Sequence, residues 1–597
     1  MTNSLSSVDI HAKMYRMQNI LKGVNFPLMS CVSKAKQAGS VGKKCSLPAQ
    51  PKADDKYSLR DAKIGEVVTR FPPEASGFLH IGHAKAALIN HILREKYDGK
   101  LIFRFDDTNP EKEKGEYEES IESDLKWLGV SWDVGPTYTS DYFPQMLAYA
   151  DQLIQSGRAY VDDTPTEEMR KYREQKRPTP NRDNSIEENM RLWNEMKIGS
   201  EKGQKCCLRA KIDFKASNGA LRDPTIYRVM LQPAHIRTGT TYKVYPTYDF
   251  ACPIVDSLEG VTHALRTTEY KDRDAQYRWM AQALSIRCPE LNDFSRLNME
   301  YTVMSKRKLT ELVDQNVVTG WDDPRFPTVR ALARKGLTPD ALRQFVEVQG
   351  MSKVINFMEW SKLWAINSRI LDPMAPRYTA VSNTHNCICT IRNYVGAPRV
   401  ESKMWHKKNP ELGNKSIVFD SSIFLESFDV ALLKDGDEIT LMDWGNAFIE
   451  NIQYPTVDGR IDTSNGPASC DARLHLEGDY KTTKYKLSWL AREAPSTLVR
   501  CFEFDHLLRT KKFDSGMTSD EFLRSVNAKS LYEQTLRGEK AFESLQKGQT
   551  IQIERRGLYI VDKVQPTKDN ACDVTVFHIP DGRVKLNHLS AKALQSE

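Results

Sequence analysis

From Glu66 onward the chain alternates two textures. Short apolar runs, EVVTRF and KLIFRFD, flank the Ala-rich segment GHAKAALINHILREKY, whose apolar positions return at helical spacing. EYEESIESDLKWLGV follows with the same helical period. Strand, helix, strand, helix predicts a parallel sheet with a nucleotide at the carboxyl ends of its strands. Between about Pro165 and Pro233 a charge-rich stretch interrupts the pattern, and CCLRAKID and LRDPTIYRV within it read as strands. Helical periods return in VRALARKG, PDALRQFVEVQG and MEWSKLWAINSRIL. Beyond Tyr378 short alternating runs separated by Gly, Asp and Asn, such as SIVFDSSIF, TIQIERRGLYIVD and DVTVFHIP, predict antiparallel barrels forming a unit separable from what precedes them.

Met1 to Asp55 differs from the rest, with Asp9 as its only acidic residue before Asp54. Ile10, Met14, Met17, Leu21 and Val24 recur at helical spacing there, while Lys13, Arg16 and Lys22 lie elsewhere on the wheel. The segment reads as a basic flexible extension, compatible with a tail that touches a polyanion or with a mitochondrial address.

Composition adds bounds. A chain of 597 residues exceeds one core and suggests roughly three to five domains. At 40% hydrophobic and 27% charged residues it is ordinary for a soluble protein, and no apolar run approaches the roughly twenty residues of a membrane span. A net charge of +6 permits a polyanionic partner without naming one. Among 11 cysteines, Cys206 and Cys207 are adjacent and Cys387 and Cys389 form a C-x-C, but no second pair stands at metal-finger spacing. Structural thiols are expected, and no protein metal site.

Two stretches carry chemistry. In PPEASGFLHIGHAKAAL, His80, Ile81, Gly82 and His83 stand where a turn opens a helix, so two imidazoles and free backbone N–H groups would face a phosphate. Gly82 would leave space for adenine or ribose against the backbone. In VMSKRKL, Met304 and Ser305 precede three cations, Lys306, Arg307 and Lys308, expected on a mobile loop. Adenylate formation needs in-line geometry and positive charge where pyrophosphate leaves, and the pair suits that task.

The two stretches resemble the HIGH and KMSKS signatures of class I aminoacyl-tRNA synthetases, with Val303 at the first Lys of the second signature and Arg307 at its final Ser. With VTRFPPEASG, FRFDDTNP, YPTYDFACPIVDSLEGVTHALRTTEY and SRLNMEYTV, the chain from about Ile64 to Val584 is similar to the eukaryotic-type glutamyl enzymes of the glutamyl/glutaminyl branch. The resemblance implies an α/β Rossmann-type catalytic domain with an inserted acceptor-binding domain, a helical connecting domain and C-terminal β-barrel anticodon-binding domains. The implied bounds are 1–60 for the extension, 61–165 and 236–310 for the two catalytic halves, 166–235 for the insertion, 311–378 for the helical domain and 379–597 for the barrels.

It further implies His80, His83 and Lys306 as catalytic residues. ATP contacts would come from Glu74, Ala75, Ser76, Gly82, Arg296, Leu297, Met304 and Ser305, although Leu297 also reads as core and Glu74 as a helix cap. Arg70, Asp106, Tyr248, Arg266 and Thr267 would bind glutamate, with Asp106 on the ammonium and the arginines on carboxylates. Glutaminyl relatives carry a neutral Cys at the position of Arg266, so glutamate is the expected amino acid. ATP, Mg²⁺ held by phosphates and water, and the acceptor stem and anticodon of tRNA(Glu) complete the implied partners, in the cytoplasm or, alternatively, in mitochondria or both. A multi-synthetase complex stays open. The alternatives are a glutaminyl or non-discriminating enzyme, an inactive tRNA-binding scaffold, and a small-molecule adenylyltransferase, which would have no use for two barrels.

Overall fold

The computed structural model describes residues 56–458, 460–514, 516–566 and 572–583. The helical spacing at Ile10 to Val24 and the end of the resemblance at Val584 lie outside them. β1 (Val68–Phe71), α1 (Ile81–Lys96), β2 (Lys100–Phe105), α2 (Gly115–Trp127) and β3 (Val134–Tyr138) follow in the expected order. β2 lies between β1 and β3 and runs parallel to both. α1 forms because good helix formers fill it and Ile81, Ala84, Leu88 and Ile92 make one apolar stripe, buried against the sheet. Truncating Leu88 to Ala would cost about 2–5 kcal/mol at such a site.

Next come α3 (Phe143–Gln155), α4 (Thr166–Glu174) and α5 (Ile186–Ile198), with β4 (Ala159–Asp162), β5 (Cys207–Ala210), β6 (Thr225–Val229) and β7 (Val244–Pro246) as a four-stranded antiparallel sheet in that order, whose first and last strands lie outside the bounds 166–235 expected for the insertion. Of LRDPTIYRV only the second half is strand. Asp223 sits at φ 42° and its carboxylate accepts from Ile212 N–H at 2.8 Å and Arg182 Nε at 2.6 Å, which breaks the run. The second catalytic half supplies α6 (Tyr248–Leu258), β8 (His263–Thr267), α7 (Asp274–Leu284) and β9 (Glu290–Phe294), with β8 and β9 parallel. Thr262 N–H donates to Val68 O at 2.9 Å and Val68 N–H to Thr262 Oγ1 at 2.8 Å, seating this half beside β1.

α8 (Lys306–Asp314) overturns the expected mobile loop. Lys306, Arg307 and Lys308 form its first turn behind Ser305 at the N-cap. Its amphipathic pattern turns Leu309 and Leu312 inward, and Lys308 goes with them. The Lys308 ammonium is buried 3.2 Å from Glu311 Oε2 and 4.9 Å from the Phe522 ring centroid, so it is structural. α9 (Val329–Arg334), α10 (Pro339–Gln349) and α11 (Trp360–Leu371) follow as expected.

Apart from three two-stranded pairs, the remaining described strands make two seven-stranded sheets. In one, the outermost strands are Arg377–Tyr378 and Ala380–Ser382, a single run interrupted at Thr379; in the other they are Tyr485–Leu487 and Leu490–Ala491. Each sheet therefore closes on itself as a barrel. The first barrel, 386–491, is inserted between Ser382 and Ser496 of the second. Neither is purely antiparallel: Asn386–Ile391 pairs parallel with Ser469–His475, and Ser496–Phe504 with Cys572–Ile579. Strands joined by long connections are free of the hairpin constraint that enforces antiparallel pairing. Cys387 and Cys389 are buried in the first barrel as free thiols, and Cys206 and Cys207 are free in the insertion.

The barrels are not a separable unit. Leu558 and Ile579 belong to the same apolar core as Leu332, Leu337 and Trp364. At Gly336, φ 93°, a Cβ would fall 2.5 Å from Ile579 Cδ1. Arg334 Nε donates to Asp562 at 2.7 Å, and the buried Lys335 ammonium to Phe504 O at 3.0 Å.

Candidate active site

The carboxyl ends of β1, β2 and β8 open into one cleft of about 490 Å³. Arg70, Glu74, His83, Asp106, Tyr248, Arg266 and Thr267 all line it. His80 is the N-cap of α1, and its ring does the capping that Glu74 was a candidate for. His80 Nδ1 accepts from the N–H groups of Gly82 (3.0 Å) and His83 (3.3 Å), while His83 Nδ1 accepts from His80 N–H (3.3 Å). The rings stack at 3.7 Å. With both Nδ1 atoms accepting, each neutral imidazole carries its proton on Nε2.

The histidines are donors, not cations. Burial, then His83 and Arg296, hold His80 well below the usual imidazole range, and desolvation, then Arg296, lowers His83 to about 4, although His83 is exposed by surface area. Gly82 is needed here for a reason other than nucleotide packing: a Cβ on it would sit 2.9 Å from the His80 ring. Lys306 is exposed, with its ammonium 4.9 Å above the Tyr117 ring and its pKa lowered by partial burial. Ala75 is fully buried, Ser76 Oγ donates to Glu74 at 3.2 Å, and Leu297 lies in the core with Met304 packed against it. Arg296 is paired with Glu269 at 2.9 Å.

Of the two carboxylates after β2, Asp107 is structural, accepting from Ser140 N–H at 2.8 Å and Ser140 Oγ at 2.6 Å. Asp106 faces the cleft, its Oδ1 buried without a hydrogen-bond partner among the described residues. Burial pushes its carboxyl up to about 6 against the pull of Arg104. Arg70 is not a free fork. Its Nε donates to both oxygens of buried Asp256 at 3.1 Å and one terminal nitrogen to Leu265 O at 3.0 Å. Arg104 grips the same Asp256 at 2.7 Å, and together the two guanidinium groups overcome its burial and hold it at about 2. Arg266 is buried between the Tyr270 and Tyr277 rings and reaches Asp274 at 3.4 Å, but its Nε has no partner among the described residues. Arg228 of β6 also lines the cleft, and its Nε has no partner among the described residues.

The family of class I tRNA synthetases for E and Q matches this chain with its catalytic domain over residues 66–373, and with two anticodon-binding domains over 375–468 and 486–562. A probable cytoplasmic glutamate–tRNA ligase of Schizosaccharomyces pombe is 48% identical over 88% of this chain and 71% of its own length. This chain belongs to that family. The cytoplasmic glutamate–tRNA ligase of Saccharomyces cerevisiae is 46% identical over 95% of this chain and 77% of its own. The bifunctional glutamate/proline–tRNA ligase of Mus musculus is 46% identical over 88% of this chain, which spans 34% of that longer protein.

As a class I synthetase of the E and Q type, the chain hides part of its site from sequence reading. Asp256, Tyr270, Tyr277 and Arg228 carry no motif of their own. One signal existed for Asp256: Tyr248, Cys252 and Asp256 are spaced by four on α6 and so share the face turned to Arg70. Arg228 comes from a different sheet, and no spacing in the synthetase sequence points to it.

Proposed function

We propose that the chain is a glutamate–tRNA ligase: it activates L-glutamate with ATP and transfers it to the 3′ end of tRNA(Glu) for translation, in the cytoplasm. The relatives' names support the activity and the compartment. The observation carrying the amino-acid choice is the set of unpaired groups in the cleft, an acceptor on Asp106 and donors on Arg266 and Arg228. An ammonium and carboxylates satisfy that set, and leaving it unsatisfied costs about 1–3 kcal/mol per group. Asp106 takes the ammonium; Tyr248 and Thr267 flank it; Arg266 takes the side-chain carboxylate; Arg70, fixed by Asp256, shapes the wall.

A carboxylate oxygen of glutamate attacks the α-phosphorus of ATP and the bond to the β-phosphate oxygen breaks, giving glutamyl-adenylate and pyrophosphate. The Nε2–H groups of His80 and His83 donate to the phosphates, Arg296 leaves Glu269 to join them, and Lys306 meets the leaving pyrophosphate. Glu74, Ala75, Ser76, Gly82, Leu297, Met304 and Ser305 shape the nucleotide's surroundings. The hydroxyl of the terminal adenosine then attacks the acyl carbon and AMP departs. Mg²⁺ arrives on ATP, held by phosphates and water. Pyrophosphate exchange into ATP, measured with L-glutamate or L-glutamine and with or without tRNA(Glu), tests the reading. Exchange that prefers glutamine overturns it in favour of a glutaminyl enzyme.

A further inference from the structure

Lys85 lies on α1 five residues after His80, and only 1% of it is exposed. Its ammonium has no carboxylate partner among the described residues. It donates instead to Ser295 O at 2.9 Å, Gln349 Oε1 at 3.3 Å and Ser295 Oγ at 3.5 Å. A buried, unpaired cation is a costly way to fill a core position, and an apolar side chain would serve packing better. What the ammonium does is tie three segments at one atom: α1 with its histidine turn, the Ser295 segment, and the carboxyl end of α10. Ser295 N–H also donates to Ser352 O at 2.8 Å, so the backbone before Arg296 is held from both sides. Arg296 follows directly, and its charge reaches both His80 and His83.

We infer that Lys85 is a positioning residue for nucleotide binding, locking the Ser295–Leu297 backbone against the His80–His83 turn so that Arg296 and both imidazoles present their donors as one set. This rests on the reading of that turn as an ATP site. The groups facing Lys85 from the three segments are a carbonyl, a hydroxyl and a side-chain amide, all uncharged, so burial alone sets its pKa, at about 8. Because that value lies below the ordinary lysine range, raising the pH through 8 relieves the cost of burying the charge and favours the fold. It also removes the charge from the tie, so ATP binding weakens while stability does not fall.

The test compares the full chain with Lys85→Met and Lys85→Arg, measuring the ATP dissociation constant by calorimetry from pH 6.5 to 9.5, the melting temperature, and the KM for glutamate in exchange. Lys85→Met is expected to keep or raise the melting temperature, to weaken ATP roughly ten- to a hundredfold, and to leave the KM for glutamate within about twofold. Lys85→Arg should restore part of the affinity and abolish the loss above pH 8. An unchanged ATP affinity in Lys85→Met overturns the inference, as does an equal loss for ATP and glutamate with a lowered melting temperature. Failure of the wild-type protein to exchange with glutamate overturns the proposed function instead, while the ATP affinities still judge Lys85.

Discussion

At the scale of the residue, Asp106 in the cleft wall has a buried carboxylate oxygen without a partner among the described residues. Asp106 carries a carboxyl raised to about 6 from an ordinary 3.8, so the native state takes up a proton more readily than the unfolded chain between those values. Stability therefore falls as pH rises through that window, and above 6 the full cost, on the order of 3 kcal/mol, is present. Asp106→Asn is expected to raise the melting temperature at pH 7.5 and to abolish most glutamate activation. In the wild type kcat/KM for glutamate should drop as pH falls through 6, because a protonated Asp106 no longer attracts the ammonium. Calorimetric melting and exchange rates from pH 5 to 8 check both halves. Arg266→Gln should cost glutamate at least about 3 kcal/mol of transition-state binding and glutamine far less, as for a buried ion pair stripped of one member. Equal losses for the two amino acids would make Arg266 a structural partner of Asp274.

At the scale of the element, the opening of α1 is capped by a histidine ring that the proposed function also places on ATP. His80 caps the helix through Nδ1 and offers Nε2–H outward, and the two roles separate by substitution. Asn is a strong N-cap, so His80→Asn should stay within about 1 kcal/mol of wild-type stability yet lose most adenylate formation. His80→Ala should lose both, with a further destabilisation of roughly 1–2 kcal/mol from the missing cap. Urea melts set beside exchange rates distinguish the variants. Equal activity in His80→Asn and wild type would confine His80 to capping. The element scale also shows where pattern reading stopped: KRKLTELVD has a plain helical period, but three consecutive cations drew attention to a loop, and only packing reveals that Lys308 points in and Lys306 out.

At the scale of the whole molecule, the barrels complete the core of the catalytic body. Truncation after Tyr378 removes Leu558 and Ile579 from the core around Leu332 and Trp364, and Leu507, Leu508 and Phe522 from the one around Leu309 and Leu312. Each large apolar contact so lost forfeits roughly 1.5–3 kcal/mol, in sum comparable to a typical domain's whole margin. The truncated chain is expected to aggregate or to lose its cooperative melt, as read by gel filtration and calorimetry. A monodisperse fragment melting like the full chain would contradict the shared core.

By itself the sequence determined the element order, the parallel half that opens the catalytic domain and the barrel texture beyond Tyr378, because these rest on local periods; the number of barrels and the residues expected to meet glutamate came from the resemblance to the family. Tertiary structure alone decided how the charges are shared. Arg70 turned out to be spent on Asp256, Lys308 to be buried, the histidines to be neutral and the barrels to be fused to the helical domain. These outcomes depend on partners remote in the chain, such as Asp256, 186 residues from Arg70, and Asp562, 228 from Arg334, and no period or spacing records which distant group a buried charge will meet.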